Sequence, residues 1–376
     1  MAAASRSLRT LSLDRARRLA IRAQALDGSA RSVLDVVRRS GVLQLDPTAR
    51  VAPNHVLAVW SRLGRHDEKE LRRLIARRVL VEYDAYIIPM RDLPLQVAMR
   101  RLMLESSATW MTRARSYLAA NVRFVRYVLR ELDRRGPLSS DTLEDRADVA
   151  WPPPPAKPSS GWNADRNRTM LLHLLQWQGR VLVSGRVGAK RLWDLSERVA
   201  PDIERVDPRQ VTRLVAERRV RHYGLVRPGS LRTAYLAAPD LTGVGERVRV
   251  EGGVAGEWIA SRDLLRDAEI PDRLTLLSPF DRLIHDRDRA RDLFGFDFTM
   301  EIYVPKALRK YGFFVMPVLD GSRIVARLDP ELDRASGTLR VNAVHPEPGA
   351  RVRRTSLRAS LGSLAETIGA RRVVLP

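Results

Sequence analysis

The 376-residue chain sets 66 Lys and Arg against 44 Asp and Glu, a formal charge of +22, and contains no cysteine. A cationic excess of this size points to a polyanionic partner, since every phosphate neutralised releases condensed counterions. The missing thiols exclude disulfides, thiolate nucleophiles and thiolate zinc sites, and six histidines without an HExxH pair give no reason to expect a metal or other cofactor.

No apolar run approaches the length of a membrane span, and the first seven residues lack an apolar signal core, so a soluble cytoplasmic protein with no membrane partner is expected. The length suffices for two or three domains. Residues 1–10 are expected to be disordered. Ser12 caps a helix running to about Leu26, with Ala16, Leu19, Ala20 and Ala23 on one face. A second helix, Val33 to Arg39, stops at Gly41. The apolar run 42–46 reads as a strand, 53–64 as a helix with a glycine stop, 68–78 as a helix capped by Asp67, and 79–83 as a strand.

A long helix is expected from Thr109 to Arg134, then a turn at Gly136-Pro137 and a short helix to Arg146. A stiff polyproline loop, 151–158, follows. Asn163 or Asp165 opens a helix with Met170, Leu171, Leu174, Leu175 and Trp177 on its apolar face, and a basic hairpin covers 180–194. Helix, turn, helix, helix, then a basic hairpin is the winged-helix order. Arg166, Asn167 and Arg168 on the third helix, with Arg186, Lys190 and Arg191 on the wing, are the candidate groove and phosphate contacts. A wing that mediates protein contacts, or a merely solvated turn, is the alternative.

A helix over 207–222 suggests a third such unit, and Arg247–Glu251 with Glu257–Ala260 a hairpin. Strands are expected at 300–304, 312–319, 323–328 and 338–344, with Asp320-Gly321 as a tight turn, then a helix over 353–369 and a last strand at 373–375. The fold class is therefore α+β, mainly helical: tandem winged-helix (helix-turn-helix) units over 1–105, 106–200 and 201–275, and a C-terminal antiparallel β-rich module over 276–376.

Gln44-Leu45-Asp46 admits two readings. On an extended backbone Gln44 and Asp46 face the same side, and a carboxylate beside a carboxamide suits holding and deprotonating one water. Asp46-Pro47 is equally a helix start, with Asp as cap and Pro at the first position. The catalytic reading requires the Asp46 carboxylate to point into a basic groove and not to be tied into the amides of the next turn.

Gln44-Leu45-Asp46, followed by Val59-Trp60-Ser61-Arg62-Leu63-Gly64, resembles the winged-helix DNA glycosylases of the YcaQ/AlkZ type. Glu82-Tyr83, Arg135-Gly136-Pro137, Gly161-Trp162 and the run Leu192 to Val199 agree with it. So do Leu277-Ser278-Pro279-Phe280-Asp281, Leu293-Phe294, Glu301-Ile302-Tyr303-Val304-Pro305 and Arg309-Lys310-Tyr311-Gly312. The matches are collinear from residue 11 to about 345. The resemblance implies a basic DNA channel and metal-free removal of N7-alkylated purines from damaged double-stranded DNA, with unhooking of interstrand crosslinks; a chain carrying several DNA-binding units has less need to dimerise, so a nucleoid-associated monomer is expected. Its Gln-x-Asp motif maps onto Gln44 and Asp46, as water-positioning group and base. His55, Trp60 and Arg62 would line an open trough; each is equally a core or helix-surface residue. The sequence departs from the family pattern at Asp84 and Tyr86, where Trp and His are usual, and at Asp165 to Arg168, where basic residues are usual. A winged-helix regulator that binds DNA without catalysis is the competing class; a metal nuclease would need clustered carboxylates, of which Asp46 and Asp84 are the only obvious pair.

Overall fold

Ser12 starts the first helix as its position predicts. In the computed structural model, which describes residues 8–151, 166–252, 254–266 and 269–376, its hydroxyl accepts from the Arg15 amide. The helix then runs Leu13–Ala23 with Ala16, Leu19, Ala20, Ile21 and Ala23 buried. The residues before Leu8, most of the polyproline loop and the expected cap at Asn163 or Asp165 lie outside the described residues. Arg9 and Thr10, expected to be disordered, belong to a strand, Arg9–Leu11, parallel to Glu246–Val250.

The chain divides into two compact units, one of residues up to Leu71 with 216–231 and 241–376, the other of 72–215 with 232–240. The first holds two sheets. A four-stranded sheet orders Arg9–Leu11, Glu246–Val250, Glu257–Ala260 and Leu225–Val226. A five-stranded sheet orders Leu274–Leu276, Met316–Asp320, Arg323–Asp333, Thr338–Pro346 and Arg372–Val374, antiparallel except for the last pair. The register of the second sheet shifts at Val318/Leu319 and again at Asp329/Pro330. Proline cannot donate to a ladder, so a bulge is where a long inner strand tolerates Pro330. The Arg354–Thr367 helix buries Leu357, Leu361 and Leu364 in the same core as Leu276, Phe314, Met316 and Leu328. Met300–Val304, expected as a strand, is instead a single 3-10 turn at Glu301–Tyr303.

The second unit starts with a hairpin, Leu80–Tyr83 against Tyr86–Pro89, followed by the helix Leu93–Glu105. The long helix expected from Thr109 is two, Thr109–Ala120 and Val122–Arg135. Asn121 breaks it: its buried amide donates to Tyr117 O and Val149 O and accepts from Val149 N, so the side chain ties the end of the first helix to the loop at Val149. The segment after Gly136 makes only a 3-10 turn, Ser140–Thr142. Leu138 exchanges both backbone hydrogen bonds with Trp193. The helix Arg166–Trp177 and the hairpin Val181–Val187 with Lys190–Leu195 complete the winged-helix arrangement. Their core joins Phe124, Val128, Leu132, Leu171, Leu175, Val183 and Trp193. The helices and the mixed C-terminal sheet make the fold α+β.

Candidate active site and DNA-binding residues

Gly41 ends the helix Val33–Ser40 at φ +81°, where a Cβ would meet the His222 ring at 2.7 Å. The strand that follows is short, Leu43–Gln44, with Leu43 buried and Gln44 half-buried. Four contacts fix its exit. Asn54, itself buried at the start of the helix Asn54–Leu63, donates its Nδ2 to the Gln44 carbonyl at 2.8 Å. Beyond Asp46 the loop is held by Leu332 N donating to Arg50 O, by Arg334 donating to Ala49 O at 2.7 Å, and by an Arg50–Glu331 ion pair. Val51 and Ala52 then enter the core beneath the five-stranded sheet.

Asp46 is half-buried, and its Oδ1 accepts from the Thr48 amide at 2.8 Å. No helix starts at Pro47, so the capping reading loses its helix, yet the backbone tie that counts against catalysis is present. The group is an Asx turn, a carboxylate bonding its own chain two residues on. Only Oδ1 is committed; Oδ2, like the Gln44 side-chain amide, makes no hydrogen bond among the described residues. The turn therefore fixes the carboxylate's orientation with one oxygen and leaves the other available to a water.

Arg62 is not a DNA contact. It is 1% exposed and forms a bidentate pair with Asp281, NH1 to Oδ2 at 2.7 Å and NH2 to Oδ1 at 3.0 Å. Its Nε donates to Gln24 O at 2.7 Å and NH1 also to Ala58 O. A guanidinium removed from water needs all of these partners, and they come from the first helical segment, its own helix and the Ser278–Asp281 turn. Trp60 is likewise core, 2% exposed, with its indole donating to Ser363 Oγ. A cleft of about 480 Å³ opens beside Trp60, Arg62, Arg273 and Ser363, and neither Gln44, Asp46 nor His55 lines it. His55 sits half-buried one residue beyond Asn54.

The remaining candidates belong to the second unit, and most serve it internally. Arg186 grips Glu82 with both Nε and NH2 at 2.7 Å, and Arg191 donates to the same carboxylate. Glu82 is 4% exposed. Arg191 reaches on to Asp84 O at 2.6 Å and to His173 Nε2 at 3.0 Å. His173 therefore accepts through Nε2 in its neutral form, and burial with the Arg191 charge holds its pKa down at about 4. Asn167 accepts from Trp151 N at 2.7 Å and donates to Asp145, and Arg168 donates to Leu143 O. All four are tied into the framework of the unit, Arg186 from an exposed position on the wing: the loops and hairpin they hold offer acceptors that helix periodicity does not reveal. Lys190 lies on the exposed wing tip, as Arg186 does, and is paired with Asp141. Arg166 begins its helix. Among the described residues no group of three or more His, Asp or Glu is placed to hold a metal ion, and no helix is long and apolar enough to cross a membrane.

A family model for AlkZ-like DNA glycosylases matches residues 37–367. The chain belongs to the AlkZ-like DNA glycosylase family. The solved structure of Streptomyces sahachiroi DNA glycosylase AlkZ is similar to it, with a TM-score of 0.67 and 16% identity over 98% of this chain and 99% of that one. At that identity the likeness speaks for the fold. As an AlkZ-like glycosylase the chain acts on DNA, and DNA repair is its setting.

The departure at Asp84 has a structural account. Asp84 turns the Leu80–Tyr83 hairpin at φ +54°, a conformation Asp tolerates better than a bulky residue. Its carboxylate accepts from Trp177 Nε1 at 2.6 Å and from Arg100 at 2.8 Å, while Arg100 lies over the Trp177 ring. Sequence reasoning missed Arg100, Asn54, Arg50 and the part played by Glu82. For Glu82 a signal existed, an acid inside an apolar strand facing a hairpin with two arginines.

Proposed function

We propose that the chain hydrolyses the N-glycosidic bond of N7-alkylated purines in duplex DNA as a monofunctional glycosylase. Alkylation at N7 puts positive charge on the base, so it departs with little acid assistance. The protein must then stabilise an oxocarbenium-like sugar and deliver water. Asp46 does both through Oδ2, as base toward the water and as negative charge beside the sugar, while the Gln44 amide orients the water. The observation that carries this reading is the Gln44-Leu45-Asp46 motif in an AlkZ-like glycosylase; the Asp46–Thr48 tie counts against it and is why Asp46 itself is put to the test. A crosslinked base is tethered to both strands and cannot swing into a deep pocket; a braced loop in place of a closed cavity supports crosslink unhooking as a further substrate class.

The test is a duplex carrying N7-methylguanine, scored for abasic sites, with a nitrogen-mustard crosslink in parallel. Asp46→Asn keeps duplex binding and loses roughly a hundredfold or more in excision rate. Undiminished excision by the purified variant removes Asp46 from the mechanism. The Asx turn also favours a second reading, in which Asp46 is structural; wild-type protein that binds duplex tightly and excises neither lesion establishes that reading.

A further inference from the structure

The motif Glu301-Ile302-Tyr303-Val304-Pro305, with Arg309-Lys310-Tyr311-Gly312, is not used by the chemistry above. It forms a loop that carries the two most exposed large apolar side chains among the described residues, Tyr303 at 81% and Leu308 at 73%. A single exposed apolar residue needs no explanation, but two on one loop mark a contact surface. Pro305, Lys306 and Lys310 are exposed beside them.

The loop is built to hold its shape. Glu301, 7% exposed, accepts the amides of Lys310, Tyr311 and Gly312 at 3.1, 2.8 and 3.0 Å, closing the loop at its root. Arg309 bridges it by donating Nε to Val304 O at 2.9 Å, and its guanidinium lies 4.8 Å from the centre of the Phe313 ring. Gly312, at φ +134°, lets the chain pass the Asp329 carboxylate, which a Cβ would meet at 2.2 Å. Glu301 is the only acid from 301 to 312 and it is turned inward, so the outer face is cationic and apolar.

The loop also adjoins the catalytic segment. The Arg50 guanidinium lies 6.0 Å from the same Phe313 ring, and Arg50 is in the loop that leaves Asp46. We infer that the loop 303–310 is a second duplex-contacting element, in which Lys306 and Lys310 take phosphates and Tyr303 and Leu308 press on sugars or unstacked bases beside the damaged nucleotide. Charge favours this occupant over a protein partner. A rigid apolar tip set among lysines suits a distorted duplex, where phosphate neutralisation and base stacking act together. The placement beside the lesion rests on the reading of Asp46 as the reacting site.

Fluorescence anisotropy with undamaged and N7-methylguanine duplexes, over a salt series, tests the inference. The Tyr303→Ala/Leu308→Ala double variant loses about tenfold or more in affinity with an unchanged salt slope and melting temperature. Tyr303→Phe/Leu308→Met restores most of the loss, and Tyr235→Ala, another exposed tyrosine, is neutral. Lys306→Ala/Lys310→Ala lowers the salt slope by about one to two. Wild-type affinity in both double variants overturns the inference, as does a change in sedimentation with DNA binding intact, which assigns the loop to a protein contact. The two readings fail separately. Wild-type protein that binds duplex through the loop but removes no base defeats only the glycosylase chemistry, whereas excision indifferent to the loop defeats only the loop.

Discussion

Replacing Arg62 by alanine separates a structural role from a DNA-binding one. The substitution leaves the Asp281 carboxylate, less than 1% exposed on its side chain, without its cation. Breaking a buried pair from one side costs about 3–5 kcal/mol, because the partner stays behind uncompensated. Asp281→Ala removes the same pair and also the cap on the helix Arg282–His285, where Oδ1 accepts from Leu283 N at 2.9 Å. That loss adds about 1 kcal/mol. For a unit of this size each kcal/mol moves the melting temperature by roughly 2–4 °C. Arg62→Ala should therefore lower the transition of the first unit by about 6–20 °C, and Asp281→Ala by somewhat more. In a double-mutant cycle the two losses fall short of additivity by about 2 kcal/mol or more. The assay is calorimetry with urea denaturation, alongside duplex binding measured well below the transition. Melting within 2 °C of wild type, combined with a clear loss of duplex affinity, would refute the burial argument and return Arg62 to the DNA surface.

On the wing, Lys190→Ala should weaken binding to all duplex sequences alike and reduce the salt slope by about one, with less than about 1 kcal/mol change in stability. Arg191→Ala should instead destabilise the second unit, because it strips the buried Glu82 and His173 of a partner; equal effects of the two substitutions would contradict this division. His173 and His222 both have pKa values lowered to about 4, chiefly by burial. Folded values below the unfolded one mean that their contribution is complete above about pH 6.5 and is lost as pH falls toward 4. Each ring is partly exposed, so about 1–3 kcal/mol per histidine is expected; urea midpoints that stay flat from pH 7 to 4.5 would show both rings to be freely solvated. Gly312→Ala combines a positive φ with a clash against Asp329 and should cost about 2 kcal/mol or more, read as a lowered melting temperature.

Local chemistry was legible in the residues. Ser12 as a cap, Gly41 and Gly64 as helix stops, the Asp320-Gly321 turn and the strands expected at 312–319, 323–328 and 338–344, which the structure has at 316–320, 323–333 and 338–346, follow from side chains acting within a few residues of themselves. The same locality marked Gln44 and Asp46 as a pair worth testing. It failed where a side chain had to choose between its own element and something distant in sequence. Asn121 broke a periodic helix for the sake of Val149, and Pro330 marked a bulge within one long strand.

The fate of the arginines could not be read from the chain, because a guanidinium on a helix face looks the same whether it meets phosphate or a carboxylate 219 residues away. Composition alone established an excess of cations and hence the expectation of a polyanionic partner. Only the tertiary structure decided which cations are committed to buried acids, as Arg62 and Arg191 are, and which lie exposed, as Lys190, Lys306 and Lys310 do, with Arg186 both exposed and paired to Glu82. Net charge is a sum over the sequence, whereas the interaction of each charge depends on distance and burial, which folding alone sets.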